Sequence, residues 1–521
     1  MAAHQIIPAP RDYTAREGSF SLDSQTRIVA ASSEAETAAR LVSEYLKAAG
    51  LTVPVDASGT ATADPTRRIV LTAGGPPVYD DAGFTDESYR IDVAPDVCRL
   101  DAANREGLAR AVQTFRQLLP PSALGAAAGP LAIACCAIAD APRFRWRGLH
   151  LDVCRHFFPI DDVKRFVDLA ALHRYNRIHL HLTEDQGWRV EIKRFPRLTE
   201  VGSLRHETLV GHFNDKPHRF DGKPHGGFYT QDELRDLVRF AAEREVVLVP
   251  EIDMPGHMQA AIAAYPEWGC TGHPIGLREI WGISQDILNV EEATVSAMEQ
   301  ILDELIDIFP SLFIHVGGDE VPKYQWTHSK RVQERMREIG VHDEHELQSW
   351  FIRRMDAFLQ SKGRRTLGWD EILEGGLAPG ATVMSWRGEA GGIEAAKMGH
   401  DVVMASNTHT YFDYYQDMPT DEEPLTIGGF LPTGKVYSYE PIPAELTEEQ
   451  ATHVLGAQAQ LWTEYIPDRD RLDYMTYPRA AALAEVVWTA KENRSYRSFL
   501  ERLAVHRERF AALGVTAHPR P

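Results

Sequence analysis

The run "FIHVGGDE", residues 313–320, joins a β-like segment to two glycines and two adjacent carboxylates, Asp319 and Glu320. Residues 313–316 are apolar apart from His315 and suit a strand covered on both faces. Adjacent acids repel, and in a regular strand they would point to opposite faces. Gly317 and Gly318 are therefore expected to end the regular geometry and re-aim both. Paired carboxyl groups suit cleavage of a glycosidic bond, which ordinarily needs one on each side of the anomeric carbon. Neighbours on the chain are awkwardly placed for that. A 2-acetamido group on the sugar would remove the difficulty: its carbonyl oxygen attacks the anomeric carbon, one acid protonates the leaving oxygen, and the other holds the amide N–H.

Other chemistry-bearing residues recur at the ends of β-like segments. Arg155 follows residues 147–153, Glu184 and Asp185 follow 177–182, and Asp253 and His257 follow 246–252. Segments 366–369 and 382–386 end in Trp369 and Trp386; Tyr411 and Asp413 follow 401–406, and 455–462 ends in Trp462 with Glu464 just beyond. Singly, each has an ordinary reading: a tryptophan plugs a core, an arginine pairs with an acid, and a tyrosine-rich turn packs. Their coincidence at segment ends favours a sugar site, with aromatic faces against the apolar faces of a pyranose and charged groups on its hydroxyls.

These segments need a scaffold that brings eight strand ends together. With 313–317 they number eight, and helical patterns such as "DDVKRFVDLAALHRY" and "TQDELRDLVRFAAERE", with a Thr230/Glu233 capping box, lie between several of them. The expectation is an α/β protein with a (β/α)₈ TIM barrel over residues 141–521 that includes a C-terminal helix. The sixth and seventh inter-strand intervals carry the weakest helical pattern. Residues 1–140 read as a small α/β domain, with strands at "TRIVAAS" and "RRIVLTAG" and helices at "ETAARLVSEYLKAAG" and "NREGLARAVQTFRQLLPP". The stretch "SALGAAAGP" reads as the boundary loop.

A formal charge of −20 over 521 residues opposes phosphate backbones and anionic membrane surfaces, so neither nucleic acid nor membrane is expected as a partner. The first 20 residues lack a continuous apolar run, which reads as a cytoplasmic protein unless an export signal has been removed. Five cysteines, two of them adjacent in "LAIACCAIA", are expected as buried thiols. The loop holding His206, His212, His218 and His225 lacks paired metal-ligand spacing and reads as a lip of the cleft, and "YYQDMPTDEEPLTIGG" reads as an acidic flap. The C-terminal helix is expected to pack on the barrel or on a second copy in a homodimer.

Seven motifs in this order carry a resemblance: "DVCRHFFP" at 152–159, "HLHLTEDQGWRVEI" at 179–192, "PEIDMPGH" at 250–257, "HVGGDE" at 315–320, "GWDEI" at 368–372, "YFDYY" at 411–415 and "LWTE" at 461–464. The chain resembles the β-N-acetylhexosaminidases of glycoside hydrolase family 20 over essentially its whole length. The resemblance implies an exo-acting retaining enzyme on terminal β-linked GlcNAc or GalNAc, with no metal or organic cofactor. It implies Glu320 as general acid and then base, and Asp319 as the group that orients the acetamide. Tyr411 would bond the acetamide oxygen, and Trp369, Trp386 and Trp462 would wall its methyl group. Arg155, Glu464 and Asp413 would bind outer hydroxyls, and His257 would sit behind Glu320, braced by an acid of the "TED" stretch. Asp253 is also assigned to the substrate site. Where this family usually has two aspartates, the chain has Glu184 and Asp185, which leaves the brace open between them. Mutual repulsion of Asp319 and Glu320 is expected to raise the second carboxyl and help keep Glu320 protonated. Two rival readings are a two-carboxylate glycosidase with Glu464 as nucleophile and a non-catalytic sugar-binding protein.

Overall fold

The computed structural model describes residues 4–57, 67–125 and 131–521. Its N-terminal part is a seven-stranded mixed sheet in the order Asp12–Leu22, Leu131–Asp140, Tyr89–Val93, Val97–Ala102, Arg68–Ala73, Arg27–Ala30 and Val55–Asp56. The two strands expected there are present, and the cysteine-bearing run forms the long strand Leu131–Asp140. Helix Glu36–Ala48 buries one face through Leu41, Val42, Tyr45 and Leu46. Helix Arg105–Leu118 starts where the Asn104 side chain accepts the Gly107 N–H at 3.1 Å. Of the expected boundary loop, Pro121–Leu124 is a 3₁₀ turn and residues 126–130 lie outside the described residues.

The rest is a closed parallel barrel whose strands, in chain order, are Trp146–Asp152, Arg177–His181, Val247–Glu251, Phe313–His315, Arg365–Trp369, Thr382–Ser385, Val402–Met404 and Val454–Ala459. All eight expected segments are barrel strands. Helix Gln231–Ala242 begins with the expected capping box. The interval without an α-helix is the fifth, where Asp370–Leu373 forms only a 3₁₀ turn; the sixth holds the short helix Ala390–Lys397 and the seventh only Thr433–Tyr437 and Glu448–Ala451.

Period-2 alternation sorts each strand between the barrel wall and its lumen. Leu149, Leu151, Ile178, Leu180, Leu248 and Ile314 join the core under the helices. Trp146, Val249, Phe313, Leu367, Met384 and Leu455 form a separate apolar cluster in the lumen that also contains Trp369. The barrel is therefore plugged at its base, and a ligand can enter only from the strand C-termini.

Helix Tyr496–Ala512 packs within its own chain and ties both parts together. Arg502 donates to the Ile6 carbonyl at 2.8 Å and pairs with Glu485, and Arg509 donates to the Gln117 carbonyl at 2.7 Å. Asp140 of the sheet and Arg174 of the barrel form a fully buried ion pair at 2.6 Å. All five cysteines are free and buried. Among the described residues, no helix is long and apolar enough to cross a membrane.

Candidate functional site

The two glycines act as expected. Gly317 and Gly318 have φ of 67° and 95°, and Glu320 itself has φ of 48°, a left-handed conformation rare for a side-chain-bearing residue. The Gly318 N–H donates to Asp253 Oδ1 at 3.1 Å, and the Trp369 N–H to the Gly317 carbonyl at 2.9 Å. A Cβ on Gly317 would lie 1.7 Å from Asp253 Oδ1. Gly317→Ala should therefore lower stability by about 3 kcal/mol, read as a fall in unfolding midpoint together with lost activity. An unchanged midpoint would show that this turn is not the constraint described.

The turn delivers the acids to a cavity of about 370 Å³ at the strand C-termini, lined by Arg155, Glu184, Asp319, Glu320, Trp369, Trp386, Tyr411, Asp413, Trp462 and Glu464 together with Phe213, Gly282, Ile283, Tyr414 and Ile427. Ten of the thirteen sequence-predicted site residues line it. The other three, Asp185, Asp253 and His257, lie behind the wall. Asp185, one of the two acids left open as the brace, and Asp253, assigned to the substrate site, both hold backbone: Asp185 accepts the Gln259 and Ser284 N–H groups at 3.0 and 3.1 Å, and Asp253 anchors Gly318. His257 is braced by Glu184, with Nδ1 to Oε1 at 2.8 Å against 3.6 Å to Asp185. The extra methylene is accommodated because Glu184 also reaches Arg155 at 2.9 Å and His181 at 3.0 Å. His257 Nε2 faces Glu320 at 3.5 Å and Asp319 at 3.7 Å.

The two acids differ in environment. The Glu320 side chain is 34% exposed and that of Asp319 only 12%, so Glu320 is the more open of the two to the cavity. Burial, with Asp253 next and Glu320 after it, pushes the Asp319 carboxyl well above the usual carboxylate range, against the pull of His257. The repulsion expected from the sequence thus falls on the buried Asp319. Burial and the nearby Asp413 carboxylate keep the Tyr411 phenol protonated and a donor. Glu464 and Asp413 are also raised, by burial first.

The aromatic residues form three sides. Trp369 and Trp462 lie 5.7 Å apart between ring centroids, and Trp386 stacks on Tyr411 at 6.0 Å. Trp369 is fixed by its indole N–H to Glu251 at 2.9 Å, and Trp386 by its indole N–H to Glu371 at 2.9 Å. Several buried polar atoms have no protein partner: Arg155 Nε, Asp319 Oδ1, Asp413 Oδ1 and Glu464 Oε2. Such atoms destabilise a buried site unless a ligand supplies the missing bonds, and here they surround one sugar-sized space.

Both expected loops reach the rim. Phe213 and Ile427 line the cavity, and His212 Nε2 lies 3.3 Å from the Ile427 carbonyl, joining lip to flap. His225 accepts the Phe157 N–H at 3.0 Å and His218 contacts the Phe213 carbonyl at 2.9 Å, so these histidines hold the loop. Gly282 and Ile283 at the rim went unforeseen, because "GLREIWGISQD" carries no chemical motif.

Residues 144–491 match the family described as Glycosyl hydrolase family 20, catalytic domain, and residues 3–141 match Glycosyl hydrolase family 20, domain 2. A Beta-hexosaminidase of Porphyromonas gingivalis is 41% identical over 503 residues, 96% of this chain; the chain spans 62% of that protein's length. A Beta-hexosaminidase of Vibrio furnissii is 36% identical over 93% of this chain and 76% of its own. Among solved structures, a mutant Streptomyces plicatus beta-hexosaminidase in complex with product GlcNAc superposes with a TM-score of 0.84 at 32% identity, covering 100% of this chain and 97% of that one.

Proposed function

The chain belongs to glycosyl hydrolase family 20, and we propose that it removes terminal non-reducing β-linked GlcNAc or GalNAc with retention, using the substrate's own acetamide as nucleophile. One observation carries this reading: Asp319, Tyr411 and the indoles of Trp369, Trp386 and Trp462 line the same cavity as Glu320. That is an acceptor, a donor and an apolar box, which match the N–H, the carbonyl oxygen and the methyl of an acetamide.

The reaction then divides among the residues as follows. Asp319 accepts the acetamide N–H and offsets the positive charge that develops as the carbonyl oxygen bonds to the anomeric carbon. Tyr411 donates to that oxygen and aims it. Glu320 gives its proton to the departing glycosidic oxygen, and the bond from carbon to that oxygen breaks as the oxazolinium ring closes. A water then attacks the anomeric carbon, Glu320 takes its proton, and the ring reopens. Two inversions leave the β configuration intact. Arg155, Asp413 and Glu464, with their unpartnered atoms, bind the sugar's outer hydroxyls. A tethered nucleophile is worth several kcal/mol of barrier through proximity. The substrates are neutral oligosaccharides or glycoconjugates, which a chain of charge −20 does not repel.

Two aryl β-glycosides with one leaving group, an N-acetylglucosaminide and a glucoside, test this. Turnover of the first is expected to exceed the second by at least about 10³-fold. Comparable turnover would remove the acetamide from the mechanism and favour Glu464 as a protein nucleophile.

A further inference from the structure

Beneath the cavity floor the barrel lumen holds His150, His179, His181, His315 and Glu251, none of them exposed. Glu251 is the hub of this layer. His181 Nδ1 lies 2.6 Å from it, His179 Nε2 and His315 Nδ1 each lie 3.0 Å away, and the Trp369 indole N–H donates to it at 2.9 Å.

A metal ion on His150, His179 and Glu251 is the first alternative, since their ligand atoms lie within 4.8 Å of one another. The tautomers speak against it. His179 Nδ1 accepts an N–H from Gln458 at 3.0 Å, and Gln458 is oriented by the Trp146 indole on its Oε1 at 3.3 Å. His150 Nδ1 accepts the Leu461 N–H at 3.3 Å. Each neutral ring therefore carries its proton on Nε2, the nitrogen that would have to ligate.

His181 is different, because both of its ring nitrogens face carboxylates. Nδ1 meets Glu251 at 2.6 Å and Nε2 meets Glu184 at 3.0 Å. Only an imidazolium donates on both sides. Burial alone would strip its charge, yet Glu251, Glu184 and Asp152 outweigh burial and hold its pKa up at about 10. Glu184 passes the connection on: its other oxygen takes His257 Nδ1 at 2.8 Å, and His257 Nε2 faces Asp319 and Glu320. Acid and imidazole thus alternate from the lumen to the reacting groups. The same hub fixes Trp369, one wall of the acetamide box.

We propose that His181 and Glu251 are positioning residues for the reaction: their buried ion pair holds Glu184 and, through His257, sets the charge balance at Asp319. This rests on the hexosaminidase reading. The titratable groups facing His181 are Glu251, Glu184, Asp152, Asp253, Cys154, His150 and His179. Those acting on Asp319 are Asp253, His257, Glu320, Glu251, Glu371 and Tyr411.

The test compares the acidic limb of kcat/KM for an aryl β-N-acetylglucosaminide in His181→Gln, Glu251→Gln and the double variant, with unfolding midpoints as controls. His181→Gln deletes a buried cation, so Asp319 becomes harder to ionise and the limb moves up by about half a pH unit or more. Glu251→Gln deletes a buried anion while Glu184 still holds the imidazolium, so the limb moves down by a similar amount. The double variant removes both charges and returns the limb toward the wild-type position. Limbs that stay put, or move together, in folded variants would reduce the pair to a structural role and overturn the proposal. Should the single variants not fold, neutron diffraction of the wild-type protein near pD 8 decides: deuterons on both His181 ring nitrogens support the pair, and one alone overturns it. A wild-type enzyme that ignores the acetamide would instead overturn the hexosaminidase reading, whatever the His181 protonation state.

Discussion

Asp319→Asn should lower kcat/KM for an aryl β-N-acetylglucosaminide by about 10²–10⁴-fold, with KM changing far less than kcat. Asparagine has nearly the same shape and can still accept the acetamide N–H through its amide oxygen. It has no charge to set against the oxazolinium, and that charge is needed only as the ring forms. The pH profile gives a second readout. The proposed mechanism requires an ionised Asp319, and burial with Asp253 beside it raises its carboxyl well above the usual range. The acidic limb of the wild-type profile should therefore sit at higher pH than an ordinary carboxylate would place it. In Asp319→Asn that limb should vanish or move to the value of another group. A variant that keeps the wild-type limb would show that a different carboxylate holds the acetamide.

How far the sequence led can be judged from particular residues. The strands were legible because "RIHLHL" or "VVLVPEI" combine β-branched and apolar residues with turns at both ends, and eight such runs can close a barrel. The adjacency of Asp319 and Glu320 pointed to an unusual division of labour, and the glycines before them to the turn that the left-handed φ values display. Other features were hidden for physical reasons. The alternating histidines of "HLHL" were read only as part of a strand, and His179 and His181 are fully buried. The polar face fills a closed lumen, and nothing in a single strand tells a lumen from solvent. Glu251 looked like one more strand residue of "PEID", because its role depends on strands before and after it in the chain. The choice between Glu184 and Asp185 could not be made from adjacency either. It turned on whether the loop backbone needed an acid of its own, and Asp185 serves that need at Gln259 and Ser284. The contact Asp253 makes was hidden for a similar reason: it accepts the Gly318 N–H, a backbone group that no side-chain motif reveals.

Glu320→Gln should separate the two halves of the reaction by leaving group. For a natural disaccharide, whose departing alkoxide needs a proton, kcat is expected to fall by about 10²–10⁴-fold, the usual worth of a positioned general acid. For a dinitrophenyl glycoside, which departs without protonation, formation of the oxazolinium should be nearly unimpaired, and the loss should shift to the second half. There the water no longer has a base. Added azide, a nucleophile that needs none, should then restore turnover and give the β-glycosyl azide, because it enters on the face the leaving group vacated. This division follows from exposure: Glu320, 34% exposed and turned out by its positive φ, can meet both a departing oxygen and an incoming one, whereas the Asp319 side chain is only 12% exposed. An α-azide would mean direct displacement with no attached nucleophile. Unchanged turnover of the disaccharide, with the variant folded, would take the acid role away from Glu320 altogether.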